Sequence, residues 1–232
     1  NKVLKDKEFS GFIGSKNGNM SKVLHLSSTD AFLKGKEFIN INYLGGEMNR
    51  KFESDLSQKF GIKYVINVNS ATSALCMAMG AINPNPGDEV ICTCLSFTAT
   101  ATSIVASNCI PVFTDISSKN YCMDIGEIEK KITKKTKAIV PVHLNGRACN
   151  MKKIMNIAKK YNLKVVEDTA QSLGAKFKGK MAGTFGNLGC FSLHPLKSLG
   201  GAGDGGFVVT NEKKIYKKIY KLRNHGQENR DK

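Results

Sequence analysis

Arginine is scarce in this sequence of 232 residues. It stands only at 50, 147, 223 and 230, and lysine supplies the rest of the 35 basic residues, against 19 acidic ones. A formal charge of +16 asks for an anionic partner. Base readout and bidentate phosphate grips favour the planar guanidinium over the ammonium. The chain has no basic run interleaved with aromatics, no helix-turn-helix pattern and no RNA-binding signature. Nucleic acid is therefore not expected as a partner; a small phosphorylated molecule, or simply a lysine-rich surface, fits the charge better.

Other absences narrow the class further. No apolar run reaches the ~18 residues that a membrane crossing needs, so no membrane association is expected. The opening NKVLKDKEFSGFIG has neither the apolar core of a secretory signal nor an initiator Met. The expectation is a cytoplasmic protein, seen as a piece or a processed chain. The seven cysteines (76, 92, 94, 109, 122, 149, 190) are odd in number and scattered, with no C-x-x-C pair and no His cluster beside them. Reduced, mostly buried thiols follow, and neither a disulfide framework nor a metal site is expected.

What is present is a regular alternation. Residues 1–40 are turn-rich and carry no assigned chemistry. From NRKFESDLSQKFG, a helix closed by Gly61, the chain reads strand KYVINVN, helix TSALCMAMGAI, strand VICTC, helix TATATSIVAS and strand PVFTD. Helix DIGEIEKKI capped by Asp124, strand KAIVPVHL, helix NMKKIMNIAKKY capped by Asn150 and strand KVVED follow. Short, continuously apolar strands between helices predict a mostly parallel sheet covered on both faces, a three-layer α/β/α domain over residues 41–211. Two further strand-like segments, NLGCFSL and GFVVTN, close it, and helix EKKIYKKIYKLRN opens the stretch 212–232.

Gly201, Gly203 and Gly206 satisfy G-x-G-x-x-G by letter, but that motif needs a strand before it and a helix after it. Here the glycines lead into a strand, so the dinucleotide reading fails on context. A tight hairpin-like connection passing close to something bulky beside Lys197 remains.

In such a sheet ligands gather at the carboxyl ends of strands. Ser70, Ala71, Thr72 and Ser73 follow VINVN at a helix start, where free N–H groups and hydroxyls suit a phosphate, although taken alone plain capping by Ser or Thr is the favoured reading. Phe97, after VICTC, is placed to stack on a flat ligand or to join the core. Asp168 ends KVVED, with Gln171 three residues on, and Lys197 comes 29 positions after Asp168. An amine, a carboxylate, an aromatic and a phosphate cradle are what pyridoxal phosphate chemistry requires: the carboxylate keeps the ring nitrogen protonated and the lysine bonds the cofactor.

The run VVEDTAQSLGAKFKGKMAGTFGNLGCFSLHPLKSLGGAGDGGFVVTN resembles the signature of the DegT/DnrJ/EryC1/StrS family, nucleotide-sugar aminotransferases of pyridoxal-phosphate fold type I. NSATSALCMAM, PGDEVICTCLSFTATATSI, PVFTDI, KAIVPVHLNGRACNM and RNHG match that family's order and spacing. The resemblance implies that Lys197 is the Schiff-base lysine and proton carrier, and that Asp168 partners the ring nitrogen. Gln171 would neighbour the ring hydroxyl, Thr72, Ser73 and Ser192 would contact the phosphate, and Phe97 would stack on the ring. His194 occupies a place the family often fills with His and is a candidate substrate contact, whereas His143 on its strand is expected to be structural. The resemblance further implies transfer of an amino group, with glutamate as donor, to a keto-sugar on a nucleotide diphosphate, in a homodimer. Ala71 departs from the family's usual Gly, and the family's C-terminal small domain is missing after Lys232, so a fragment is expected. Two alternatives stand beside this one: a sugar dehydratase of the same family, whose members carry His where Lys197 stands, and a non-catalytic sugar-binding or regulatory module.

Overall fold

The computed structural model describes residues 47–226; the segment 1–40 and the last six residues lie outside them. Along the chain run α1 (Glu47–Phe60), β1 (Tyr64–Val68), α2 (Ala71–Ile82), β2 (Glu89–Thr93), α3 (Ala99–Val105), β3 (Ile110–Thr114), α4 (Ile125–Lys130) and β4 (Thr136–Val140). Then come α5 (Met151–Lys160), β5 (Lys164–Asp168), the short β6 (Lys176–Phe177) and β7 (Lys180–Met181), β8 (Leu188–Ser192), β9 (Gly206–Thr210) and α6 (Lys213–Leu222).

Seven strands form one sheet in the order β1-β9-β8-β5-β4-β2-β3. All pairings are parallel except the two made by β9, which runs against both β1 and β8. Because successive side chains alternate across a strand, the apolar runs supply both faces. Ile66, Val90, Val140, Val166 and Val208 join α2, α3 and α6 in one core. Ile91, Ile139 and Val165 meet α4 and α5 on the other face. Val65, Phe191, Phe207 and Val209 meet α1 there too, with Phe191 and Phe207 stacked at 4.6 Å. The three layers expected from the sequence are therefore present. The small side chains Ala74 and Ala78, fully buried, let α2 lie close against the sheet, and Leu75 and Met79 fill beside them. Each buried Leu- or Ile-sized side chain contributes about 1.5–3 kcal/mol.

Local chemistry sets the boundaries. Gly61 takes φ +63° after α1, and the Asp124 and Asn150 side chains accept from Gly126 N and Lys153 N at the starts of α4 and α5. The expected strand KAIVPVHL is shorter: β4 ends at Val140, because Pro141 has no N–H to donate. A single bridge, Val142 to Asp168, continues the pairing before residues 144–146 form a 3₁₀ turn. The β6–β7 hairpin was not anticipated. Its turn residues, Lys178 (φ +49°) and Gly179 (φ +82°), both have the left-handed backbone of a tight two-residue hairpin turn. Helix α6 packs Ile215 and Ile219 into the same core as α2. At its end the Arg223 guanidinium bonds Glu53 Oε1 at 2.5 Å and Asn67 Oδ1 at 2.8 Å, tying α6 to α1 and β1.

Candidate active site

The carboxyl ends of β1, β8, β5, β4 and β2 open on one edge of the sheet, and the residues singled out above collect there. Asp168 ends β5 and is only 4 % exposed. Its Oδ1 accepts from Ala170 N at 3.1 Å and its Oδ2 from the Thr100 hydroxyl at 2.7 Å. Burial lifts its carboxyl above the ordinary aspartate range; the Thr100 and Ala170 bonds and the charges of His143 and Lys197 work against that lift. Among the described residues no lysine or arginine forms an ion pair with it. A desolvated carboxylate without a cation is a costly arrangement, and a cationic N–H donor placed against it would remove the cost.

Lys197 lies in the connection 193–205 between β8 and β9. Leu193 N bonds Gly205 O, Gly201 N bonds Leu193 O and Lys197 N bonds His194 O, each at 2.8 Å, so the loop is braced by its own backbone. The half-buried Lys197 ammonium has no hydrogen bond or ion pair among the described residues, and its charge acts on Asp168. His194 is exposed: its Nδ1 accepts from Leu196 N at 3.1 Å and its Nε2 lies 3.8 Å from Asp204 Oδ1, so it braces the lysine loop. Ser192 is buried at the end of β8, accepting from His194 N at 3.2 Å.

At the start of α2 the capping reading holds for Ser70, whose hydroxyl oxygen accepts from Ser73 N at 3.1 Å. The Ser70 hydroxyl in turn donates to Ser73 Oγ at 3.1 Å, while Thr72 faces solvent. Capping and anion binding coexist here, because the cap engages one N–H and leaves the first-turn groups of Ala71 and Thr72 unengaged by the helix. A Cβ on Gly206 would stand 2.6 Å from Phe191 O and 2.7 Å from the Ser70 carbonyl carbon, and one on Gly200 2.4 Å from Pro195 O. The close approach at both is of backbone to backbone.

Phe97 is 68 % exposed, beside Leu95, and does not belong to the core. Gln171 is half-buried and its Oε1 accepts from Asn145 N at 3.2 Å. The neighbouring Ser172 hydroxyl donates to the His143 carbonyl and accepts from Gly146 N, so the 3₁₀ turn is clamped to the segment that carries Gln171. His143 is fully buried, with Nε2 2.9 Å from Glu167 Oε2 and Nδ1 accepting from Cys149 N. That fits the structural part expected of it.

Two features were not legible. Thr100, 68 positions from Asp168, carries no local signal of its contact. Glu167 is wholly buried on the face opposite Asp168 and accepts from Gly183 N, Phe185 N and Gly186 N at 2.6–2.7 Å, besides His143. Its period-2 alternation from Asp168 predicts the face but not these partners.

The seven-stranded α/β/α domain thus carries a half-buried lysine, Lys197, and a buried carboxylate, Asp168, near the carboxyl ends of its parallel strands. The chain belongs to the DegT/DnrJ/EryC1/StrS aminotransferase family, whose model matches residues 34–232; the family is pyridoxal-phosphate dependent. It is 42 % identical over 192 residues to a UDP-N-acetyl-3-dehydro-alpha-D-glucosamine 3-aminotransferase of Acidithiobacillus ferrooxidans, covering 83 % of this chain and 52 % of that one. It superposes on an aminotransferase from Psychrobacter cryohalolentis with TM-score 0.78 at 34 % identity, covering 95 % of this chain and 53 % of the other. It is also similar to a GDP-4-keto-6-deoxymannose-3-dehydratase solved with a trapped pyridoxal phosphate–glutamate geminal diamine (TM-score 0.75, 31 % identity, 78 % and 48 % covered). The chain thus spans about half the length of the curated relatives it matches. No helix among the described residues is long and apolar enough to cross a membrane.

Proposed function

We propose that this protein transfers an amino group from an amino acid, L-glutamate, to the keto group of a deoxy sugar carried on a nucleoside diphosphate, with pyridoxal 5'-phosphate as cofactor. The observation that carries the reading is the pairing of Lys197, an ammonium without a partner among the described residues, with Asp168, a buried carboxylate without a cation, at one sheet edge. The bound cofactor would supply an electron sink for a carbanion beside the transferred nitrogen. Asp168 would hold a proton on the ring nitrogen. Lys197 would bond the cofactor in the resting enzyme and, once released, carry a proton between the reacting carbons. Gln171, fixed by Asn145, would neighbour the ring hydroxyl. The α2 N-terminus with Thr72, Ser73 and Ser192 would receive the phosphate, and Phe97 would cover the ring. His194 would reach the substrate from the braced loop.

Phe97, Leu196 (88 % exposed) and Leu199 leave apolar surface at the site's rim, which supports a homodimer whose second subunit covers it. Reduced thiols suit the cytoplasm, and the relatives' substrates suit a part in amino-sugar and surface-polysaccharide synthesis. The dehydratase alternative draws on the similarity to solved dehydratase structures; Lys197 itself speaks for the transferase, since dehydratases of this family carry His there. Incubation with glutamate and nucleotide-linked keto-sugars, read by mass spectrometry, tests the reading. An amino sugar with stoichiometric 2-oxoglutarate supports it; a keto-sugar lighter by one oxygen, with free ammonia, would favour the dehydratase, and no product at all with a cofactor-free protein the binding module.

A further inference from the structure

Ser96, Thr100 and Asp168 form a line of hydrogen bonds that none of the roles above uses. Thr100, in the first turn of α3, is 1 % exposed. Its backbone is fixed at both ends, Thr100 N bonding Phe97 O at 3.2 Å and Thr100 O accepting from the Ser103 hydroxyl at 2.9 Å. Its one hydroxyl proton goes to Asp168 Oδ2 at 2.7 Å. The 2.7 Å contact between Ser96 Oγ and Thr100 Oγ1 must then run from Ser96 to Thr100. A hydroxyl that is itself hydrogen-bonded by a donor is polarised into a stronger donor.

The carboxylate is held from two sides, by Ala170 N on Oδ1 and by Thr100 on Oδ2, so rotation of its plane breaks both bonds. Of the charged and titratable groups around it, Lys197 comes from the β8–β9 loop, and His143 follows β4 with its Nε2 committed to Glu167. Cys190 on β8 feels the Asp168 charge, as it does those of Glu167 and of Cys76 on α2. None of them donates a hydrogen bond to the Asp168 carboxylate among the described residues. Thr100 is the side chain that does.

We infer that Thr100, oriented by Ser96, is a positioning residue that fixes the plane of Asp168 and keeps this buried group charged, ready to hold a pyridinium N–H. This rests on the reading of Asp168 as the partner of a ring nitrogen. A hydrogen bond to a charged group of this kind corresponds to about a ten- to hundred-fold change in an equilibrium constant. The sign of the pH effect follows from the same bond. Without the Thr100 proton the charged form loses support, so Asp168 ionises only at higher pH.

The test is equilibrium binding of pyridoxal phosphate across pH for the wild type, Thr100→Val, Thr100→Ser, Ser96→Ala and Asp168→Asn, with circular dichroism to show that each is folded. Thr100→Val should bind about ten- to a hundred-fold more weakly at neutral pH, with the acid limb of its binding profile moved to higher pH. Thr100→Ser should restore both, and Ser96→Ala should shift the limb the same way by less. Should Thr100→Val be poorly folded, the Ser96→Ala shift carries the test. An unmoved acid limb in Thr100→Val and Ser96→Ala, while Asp168→Asn is impaired, overturns the inference and spares the reading of Asp168. Wild-type binding by Asp168→Asn overturns that reading, and the inference with it.

Discussion

Gly206 sits so tightly under Ser70 that a Cβ built on it would stand 2.7 Å from the Ser70 carbonyl carbon and 2.8 Å from Ala71 N. It also pairs with Val68 on one side and Ser192 on the other. One glycine thus joins the proposed phosphate cradle on α2 to the strand that leads into the Lys197 loop. Gly206→Ala should displace the α2 N-terminus, weaken pyridoxal phosphate retention by at least ten-fold and lower Tm. Gly203→Ala, where a Cβ would meet nothing within 4 Å, should leave both unchanged. Equilibrium dialysis and thermal melts of the two variants check this.

Lys197→Ala should abolish amino transfer while leaving Tm near the wild-type value, because the ammonium has no hydrogen bond or ion pair among the described residues that the fold would lose. Borohydride reduction of the wild-type complex should leave the pyridoxyl mass on the peptide that contains Lys197. Substantial turnover by the variant would remove the lysine from the proposed chemistry.

Asp168→Ala should cost more activity than Gln171→Ala. The carboxylate alone is placed to retain a ring-nitrogen proton, and Gln171 is already engaged by Asn145 N. Comparison of kcat/KM for the two variants measures the difference; equal small effects would refute the assignment of the ring-nitrogen partner.

The same carboxylate makes a prediction about stability. Burial raises its folded-state ionisation above the unfolded value, so the native state binds this proton more tightly. Its charge then costs stability above the folded-state ionisation, and protonation relieves that cost as pH falls through it. Asp168→Asn should melt a few degrees higher than wild type at neutral pH without cofactor, and the gap should narrow as pH falls. A gap that widens on acidification would contradict the desolvation account.

Glu167 carries structural weight that Asp168 does not. Removing it leaves the buried Gly183 N–H and His143, and the partly buried Phe185 and Gly186 N–H groups, without their acceptor. Glu167→Ala should cost at least about 3 kcal/mol, read from the urea midpoint at constant slope.

The layers of the fold were legible because VICTC and the valines of KVVED alternate with helical segments as strands of a buried sheet do, and because Asp124, Asn150 and Gly61 mark helix ends with side chains or backbone suited to them. That Asp168 ends a strand, with Gln171 shortly after it and Lys197 in the loop beyond a later strand, was legible because KVVED and NLGCFSL read as strands. The rest depended on contacts remote in sequence. Thr100 meets Asp168 only once β2 and β5 lie in one sheet. The β6–β7 hairpin hung on two left-handed residues, one of them a lysine whose side chain gives no sign of that conformation.

The most direct measurement is an absorption spectrum of the purified protein with pyridoxal phosphate, before and after glutamate. The account predicts a yellow band that is absent from Lys197→Ala and gives way to the shorter-wavelength band of the aminated cofactor when glutamate is added. A folded protein that develops no yellow band, or one equal in Lys197→Ala, would contradict it.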